Sequence, residues 1–328
     1  MTTIREIAEI AGVSSATVSK VLNGKDQNIS SETRKRILNI AEKKGYIPNG
    51  IAKSLRIRNT KTLGLIIPDV TNLFFSEVAK GIEDAAANHG YSLILCNTDN
   101  KETKERTYIK ILQEKKVDGL ILTASHSNLG DQLDSVTTPV VLVDRDVKTI
   151  KKVGRVTVDN VTGGRLAAEK LIKSGCSSIV HITAELDNKP AAERHRGFTL
   201  ILEERGIPLD KSGLHTGYFN VETGYQGIME LSKRLEFDGV FCGNDLIAIG
   251  AIKALRELGK NVPTDVSVIG FDDIALSKYV DPPLTTIRQP IYKLGESAVM
   301  VLLGMIEGST TEQSVVLQPE LIERMSCR

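Results

Sequence analysis

The 328-residue sequence contains no tryptophan, and only 4% of its residues are aromatic, so an aromatic side chain at a chemically suggestive place carries weight. No apolar run approaches the ~18 residues that a membrane-crossing helix requires. Arg5, Glu6 and Glu9 occupy the first turns where a secretory leader would place an apolar core, so the expected location is the cytoplasm. The four cysteines, Cys96, Cys176, Cys242 and Cys327, lie far apart without Cys-x-x-Cys spacing, and the five histidines are equally scattered. Neither a disulfide framework nor a metal site is expected from that pattern. A Gly-x-x-x-x-Gly-Lys-Ser/Thr phosphate loop is missing, as is a Ser–His–Asp arrangement, so an enzyme is not expected. Gly163-Gly164 resembles a dinucleotide turn only loosely, and is read as letting a helix start close to its strand.

What is present is unevenly distributed. The formal net charge is only +1, yet residues 1–58 hold eleven Lys/Arg against five Asp/Glu, leaving 31 against 36 in the remainder. A basic head on a mildly acidic body fits a phosphate-binding segment joined to a body that does not bind nucleic acid. The length fits two or three domains of ~100–200 residues.

In the head, Thr3-Ile4-Arg5-Glu6 has the form of a capping box, followed by Ile7, Ala8 and Ala11 on one helical face. Gly12 supplies a turn and Val13 a plug. Ser14 is placed to cap a second helix with Thr17, Val18, Val21 and Leu22 inward, leaving Ser15, Ala16, Ser19 and Lys20 outward. A third helix starts near Ser30 or Ser31, carries Ile37, Ile40 and Ala41, and ends at Lys43-Lys44-Gly45. Two short helices joined by a Gly-containing turn make a helix-turn-helix; the alternative is a plain three-helix bundle.

Beyond residue 60, apolar runs alternate with amphipathic stretches. Leu63–Pro68, Ser92–Cys96, Gly119–Leu122 and Val140–Val143 read as buried parallel strands, and the rhythm returns at Ile179–Thr183, Gly239–Cys242 and Ser267–Phe271. Two such sets predict two doubly wound α/β lobes, since one sheet of that many strands would be unusual. Ligands bind such folds at the carboxyl ends of strands. Those ends are polar here: Asn72, Asp144-Arg145, Asn244-Asp245 and Asp272-Asp273. Asp144, Arg145, Arg194, Asn244, Asp272 and Gln289 supply the planar forks that adjacent sugar hydroxyls require, and Phe74, Phe75 and Phe271 supply walls. Taken singly, each has a plainer reading: Asp144-Arg145 as a local ion pair, Asn244 as a helix cap, Phe74 as core.

These residues carry a resemblance. Thr3-Ile4, Ile7-Ala8, Ala11-Gly12-Val13-Ser14, Thr17-Val18-Ser19-Lys20-Val21-Leu22-Asn23, Gly45-Tyr46-Ile47-Pro48-Asn49 and Ala52-Lys53-Ser54-Leu55 are similar to the signature of the LacI/GalR repressor family. The likeness extends across the chain, whose body resembles the periplasmic sugar-binding-protein fold. It implies base contacts from Ser15, Ala16 and Lys20, with Lys20 replacing a more usual arginine. It also implies DNA contacts at Thr3, Ser14, Thr17, Ser19, Asn23, Asn49, Ala52, Lys53 and Leu55. Residues 1–46 would be the head. Residues 47–60 would be a hinge that folds on a palindromic operator with Leu55 as a minor-groove wedge, the alternative being a flexible linker. Residues 61–328 would be the sensor, with 61–158 and 290–310 in one lobe and 159–289 and 311–328 in the other. Asn72, Phe74, Phe75, Asp144, Arg145, Arg194, Asn244, Phe271, Asp272 and Gln289 match the binding set of ribose-binding proteins, so the resemblance implies ribose as effector. It further implies a homodimer released from operator by that sugar. A purine-responsive or catabolite-control regulator of the same family, using a co-repressor, is the alternative.

Overall fold

The capping box at the start of the chain forms as its residue types dictate. Thr3 Oγ1 accepts the Glu6 amide at 3.2 Å, and the Glu6 carboxylate accepts the Thr3 amide at 3.1 Å, starting α1 (Ile4–Ala11). The helix stops at Gly12, whose φ of 62° is the left-handed conformation glycine adopts without a steric cost. Ser14 Oγ then accepts the Thr17 amide at 3.1 Å and starts α2 (Ser15–Leu22), and Ser30 caps α3 (Ser31–Lys43) in the same way. Ile7, Ala8, Ala11, Val18, Val21, Ile37 and Ala41 fill the core these helices share, with Val13 packed against it. Ser14→Ala should cost about 1 kcal/mol of head stability through the lost cap, read from the head's unfolding transition by circular dichroism. An unchanged transition would show that the cap contributes nothing.

A computed structural model describes residues 2–46, 59–124, 129–207, 209, 211–309 and 314–328. The chain divides into two units, Met1–Thr60 and Lys61–Arg328. The expected hinge at 47–60, with Asn49, Ala52, Lys53 and Leu55, lies outside the described residues apart from Asn59 and Thr60. Among the described residues no helix is long and apolar enough to cross a membrane.

The larger unit runs β1 (Thr62–Ile67), α4 (Leu73–Asn88), β2 (Ser92–Asn97), α5 (Glu102–Glu114), β3 (Gly119–Leu122), α6 (Gly130–Ser135), β4 (Val140–Val143), β5 (Gly154–Val158) and α7 (Asn160–Lys173). It continues through β6 (Ile179–Ala184), α8 (Lys189–Glu204), β7 (Leu214–Gly217), α9 (Val221–Leu231), β8 (Gly239–Cys242), α10 (Asp245–Glu257) and β9 (Ser267–Asp272). It closes with β10 (Thr285–Arg288), α11 (Ile291–Ile306), β11 (Ser314–Leu317) and β12 (Glu320–Ile322). One sheet has the order β11-β5-β4-β3-β1-β2 and the other β12-β10-β9-β8-β6-β7. Pairing is parallel throughout except between β10 and β12. The two sheets repeat one order, and each reverses direction beside its first strand, which is where doubly wound sheets open a ligand crevice. Helices cover both faces, so β1, β3, β4, β6, β8 and β9 are buried; β3, β4 and β8 read as unbroken apolar runs, while β6 buries His181 and Thr183 and β9 buries Ser267 and Asp272.

The chain crosses between lobes after β5, after β10 and after β11. The last crossing corrects the expected lobe boundary. Residues 311–328 do not all belong to the second lobe, because Ser314–Leu317 pair with Arg155–Val158 as the edge of the first sheet. Only Glu320–Ile322 onward joins the second lobe. Gly163 and Gly164 serve two neighbours. A Cβ on Gly163 would stand 2.5 Å from the Phe271 ring of β9, and one on Gly164 would stand 2.1 Å from the carbonyl oxygen of Arg194. With Gly197 equally close to the backbone of Val161, α7 and α8 touch through their main chains. That contact fixes where the backbone of Arg194 can lie.

Candidate ligand pocket and nucleic-acid interface

In the head, α2 leaves Ser15, Ala16 and Lys20 exposed to solvent. The other candidate contacts on this segment also serve the head itself. Ser14 and Thr17 share the cap with their hydroxyls 2.8 Å apart, and Thr3 belongs to the capping box. Asn23 donates to Ser19 O at 2.7 Å and lies 3.4 Å from Ser19 Oγ, closing the last turn. The helix therefore presents a hydroxyl, a methyl and a cation on one exposed face, a set able to meet base edges in a major groove.

In the larger unit, nine of the ten candidate ligand residues line one pocket between the lobes: Asn72, Phe74, Phe75, Asp144, Arg145, Arg194, Asn244, Asp272 and Gln289. Its non-atom space is about 270 Å³. Asn72 and Asn244 sit at the starts of α4 and α10, where their Oδ1 atoms accept the Phe74 and Ile247 amides at 3.0 and 2.9 Å. The helix-cap reading and the pocket reading thus hold together: the oxygen is used by the helix, which leaves the side-chain NH₂ as the group able to donate into the pocket. Asp144 follows β4 with φ of 64°, and Asp272 ends β9 with φ of 111°. Positive φ at non-glycine residues costs on the order of 1–3 kcal/mol each and is found where the surroundings fix a functional side chain.

Phe271 departs from expectation. It is not a wall of the pocket; it is wholly buried, and its ring carries the Arg194 guanidinium 3.7 Å above its centroid. Pro190 and Phe219 are walls instead, and neither was singled out in the sequence. Phe219 could have been found by its place two residues beyond the end of β7, the same strand-end setting that marked Phe74 and Phe75. The strand itself, Leu-His-Thr-Gly, has no apolar run to announce it.

The charges of the pocket balance. Arg145 Nε lies 3.8 Å from Asp144 Oδ2, and Arg194 Nη1 lies 3.7 Å from Asp272 Oδ1. Arg194 also donates from Nε to Asn160 Oδ1 at 2.8 Å and from Nη1 to the Gly243 carbonyl at 2.7 Å. Gln289 donates to Asp272 Oδ1 at 2.6 Å. Burial raises the carboxyls of Asp144 and Asp272 above the usual carboxylate range, opposed by the nearby arginines. It also lowers both guanidiniums. On the residues that line this pocket, three buried atoms have no hydrogen-bond partner: Asp144 Oδ1, Arg145 Nε and Gln289 Oε1. Buried polar atoms are almost always paired, so orphans gathered on one pocket mark where a ligand's polar groups go.

Outside the pocket wall, Asp146 of the first lobe links both lobes. It accepts from Arg155 Nε at 2.9 Å and from Lys189 Nζ, at the start of α8, at 3.2 Å. Half of the Lys189 side chain is exposed, so the pair is worth ~0.2–1 kcal/mol. Lys189→Ala should weaken effector affinity about two- to fivefold by calorimetry, with the difference shrinking as salt rises. Equal affinity for variant and parent at low salt would remove the pair from lobe closure.

His181 and His195 stack with centroids 5.3 Å apart, and His181 is sealed between Phe198 and Phe241. Burial pushes its pKa down to about 3, with His195 adding to the shift, so it is neutral in the core. Among the described residues no group of three His, Cys, Asp or Glu is placed to hold a metal.

Residues 3–49 match the family described as bacterial regulatory proteins, lacI family, and residues 168–327 match a periplasmic binding protein-like domain. The chain is 38% identical to the HTH-type transcriptional regulator RegA of Clostridium saccharobutylicum, covering 99% of each chain. It is 38% identical to the ribose operon repressor of Halalkalibacterium halodurans over 94% of this chain and 91% of that one. It is 36% identical to the HTH-type transcriptional repressor PurR of Vibrio atlanticus over 100% and 99%. Among solved structures, a lac repressor dimer bound to operator and the anti-inducer ONPF superposes with a TM-score of 0.89 at 27% identity, covering 99% of this chain and 98% of that one. A family regulator from Enterococcus faecium with bound ribose superposes with a TM-score of 0.73 at 32% identity, covering 81% and 98%.

Proposed function

We propose, for a chain that belongs to the lacI family of bacterial regulatory proteins, that it represses a ribose uptake or utilisation operon and is released from operator by D-ribose. The family is one of DNA-binding transcription regulators rather than enzymes, and it works in the cytoplasm with operator DNA and a small-molecule effector. The observation that carries ribose is the set of orphaned atoms on Asp144, Arg145 and Gln289, inside a small pocket whose charges cancel. An uncharged ring edged with hydroxyls can give a proton to Asp144 and Gln289 and accept one from Arg145, while its C–H faces lie against Phe74, Phe75 and Phe219. The ribose-bound family structure and the ribose operon repressor among the relatives support the same reading.

Control follows from differential affinity, since a ligand shifts DNA binding only if it prefers one arrangement of the lobes. Residues 47–60 are the proposed coupling segment and Leu55 the proposed wedge. Asn49, Ala52 and Lys53 would contact DNA beside it, and two copies would share a palindrome. Ser15, Ala16 and Lys20 are the proposed base readers, with Thr3, Ser14, Thr17, Ser19 and Asn23 on the backbone. Lys20→Ala should weaken operator binding about tenfold or more and relax sequence preference at one position. A uniform loss across sequences would instead make Lys20 a phosphate contact.

The full-length relatives named PurR favour a second reading, in which a purine or a protein partner acts as co-repressor. Calorimetry against ribose, other pentoses, hexoses and purines, joined to operator mobility shifts at fixed salt, separates the two. Ribose that binds and weakens operator affinity supports the proposal. A purine that binds and strengthens operator affinity, with ribose silent, replaces it.

A further inference from the structure

Four helices of the sensor are introduced by an asparagine that caps them: Asn72, Asn188, Asn220 and Asn244 each accept an amide of the turn that follows. Asn160 breaks that pattern. The start of α7 is capped by Asp159, whose carboxylate accepts the Thr162 amide at 3.0 Å and the Thr162 hydroxyl at 2.7 Å. The Asn160 side chain is nonetheless buried, and buried polar groups are kept where they have partners. Its Oδ1 accepts from Arg194 Nε at 2.8 Å, and its Nδ2 donates to the Val158 carbonyl at 3.2 Å. A guanidinium only donates and a carbonyl only accepts, so the two contacts agree on one orientation of the amide. Val158 ends β5 in the first lobe and Asn160 opens α7 in the second. Between them the Asp159 amide donates to the Leu317 carbonyl at the end of β11. Asn160 therefore stands on the first crossing between the lobes, which is laced to the third.

We propose that Asn160 is a positioning residue for the effector: it sets the plane of the Arg194 fork and ties that plane to the first crossing between the lobes. Asn160 has this role only if the pocket is the effector site, and within that reading it regulates the site without lining it. The close approach of α7 and α8 at Gly164 and Gly197 fixes the backbone of Arg194 but leaves the end of a long side chain free to turn. Two of its nitrogens are fastened, Nη1 by the Gly243 carbonyl within the second lobe and Nε by Asn160 on the crossing. A change in the path of the crossing moves the Val158 carbonyl against α7, the amide follows it, and the fork turns with the amide. By reciprocity, an effector that needs the fork in one plane favours one path of the crossing. Gln289 makes the corresponding contact from the second crossing, donating to Asp272 Oδ1 at 2.6 Å, but it also lines the pocket. Asn160 acts through Arg194.

Calorimetry with ribose on the full chain, free and operator-bound, tests this with two variants. Asn160→Leu keeps the volume and removes both bonds, so ribose affinity should fall about tenfold or more. Asn160→Asp keeps an acceptor for Arg194 Nε but sets an oxygen against the Val158 carbonyl. It should bind ribose within about threefold of the parent. The same variant should lose about threefold or more of the factor by which ribose weakens operator binding, which a merely structural residue would leave unchanged. Parent-like affinity in the leucine variant overturns the proposal. If that variant does not fold, Asn160→Ser, too short to reach Arg194, takes its place with the same expectation. An aspartate variant that binds as weakly as the leucine variant also overturns it, because an acceptor is then not what Arg194 needs. An unaltered operator factor in the aspartate variant overturns the tie to the crossing. If the parent binds a purine and no ribose, the ribose reading falls alone and the purine becomes the probe for the same variants. A parent that binds neither removes the effector site, and the role of Asn160 with it.

Discussion

Replacing Arg194 with methionine should lower effector affinity at least about 100-fold and destabilise the sensor by about 3–5 kcal/mol. The side chain is almost wholly buried, and its guanidinium binds Asn160 Oδ1 and the Gly243 carbonyl, faces Asp272, and rests on the Phe271 ring. Methionine fills much of the volume but leaves the Asp272 carboxyl buried without its cation. Removing one partner of a buried pair costs far more than the pair is worth, because the remaining charge is left uncompensated. Arg194→Lys is the informative companion. It keeps a cation facing Asp272, so stability should fall by only about 1–3 kcal/mol. A point-like ammonium cannot replace the planar fork, so effector affinity should still fall steeply. Calorimetry and chemical denaturation of both variants read the two effects separately. Parent-like affinity in the lysine variant would mean that the arginine holds the second lobe together without touching the effector.

The second large effect is a pH dependence in which two buried groups oppose one another. Asp245 accepts from Ser277 Oγ, Thr286 Oγ1 and the Ile274 amide, but burial outweighs these bonds and raises its pKa to about 7. The folded state then holds a proton that the unfolded chain has released, between pH 3.8 and about 7. The stability this group contributes is present below 3.8 and is lost as pH rises through that window. His181 has the reverse sign. Its folded pKa of about 3 lies below the unfolded 6.5, so the unfolded chain binds the extra proton and stability falls as pH drops from 6.5 toward 3. Each contribution has a slope of up to about 1.4 kcal/mol per pH unit, and across pH 4–6 they largely cancel. Asp245→Asn should therefore tilt the stability curve so that it rises with pH relative to the parent. His181→Phe should tilt it the other way. Comparing slopes removes any uniform loss from the substitutions, and parallel curves for parent and variants would refute the assignment.

Much of this architecture was legible because parallel strands covered on both faces leave an unmistakable trace. Leu63–Ile67 and Val140–Val143 are apolar without interruption, as buried strands must be. The strands that escaped notice, β5, β7, β10, β11 and β12, are short and interleave polar with apolar residues. Missing β11 misplaced the last lobe boundary. In the pocket, residue type and strand-end position located the forks, because adjacent hydroxyls demand particular side chains. They did not distinguish Phe271 from Phe219. Both are aromatic residues near strand ends, and which one faces a ligand depends on whether its strand continues through that residue, as β9 does, or has already ended, as β7 has. Sequence posed helix cap and ligand contact as rivals at Asn244, yet one amide side chain has atoms enough for both.

The three crossings between lobes also limit how genes of this kind can be rearranged. The head is a continuous stretch that ends before β1, so recombination near residue 60 could exchange one reading head for another without cutting a sheet. No comparable breakpoint separates the lobes. A premature stop codon just before residue 314 would strip an edge strand from each sheet at once, β11 from one and β12 from the other. Shuffling can join any head to any whole sensor, whereas the two lobes of one sensor must change together by point substitution.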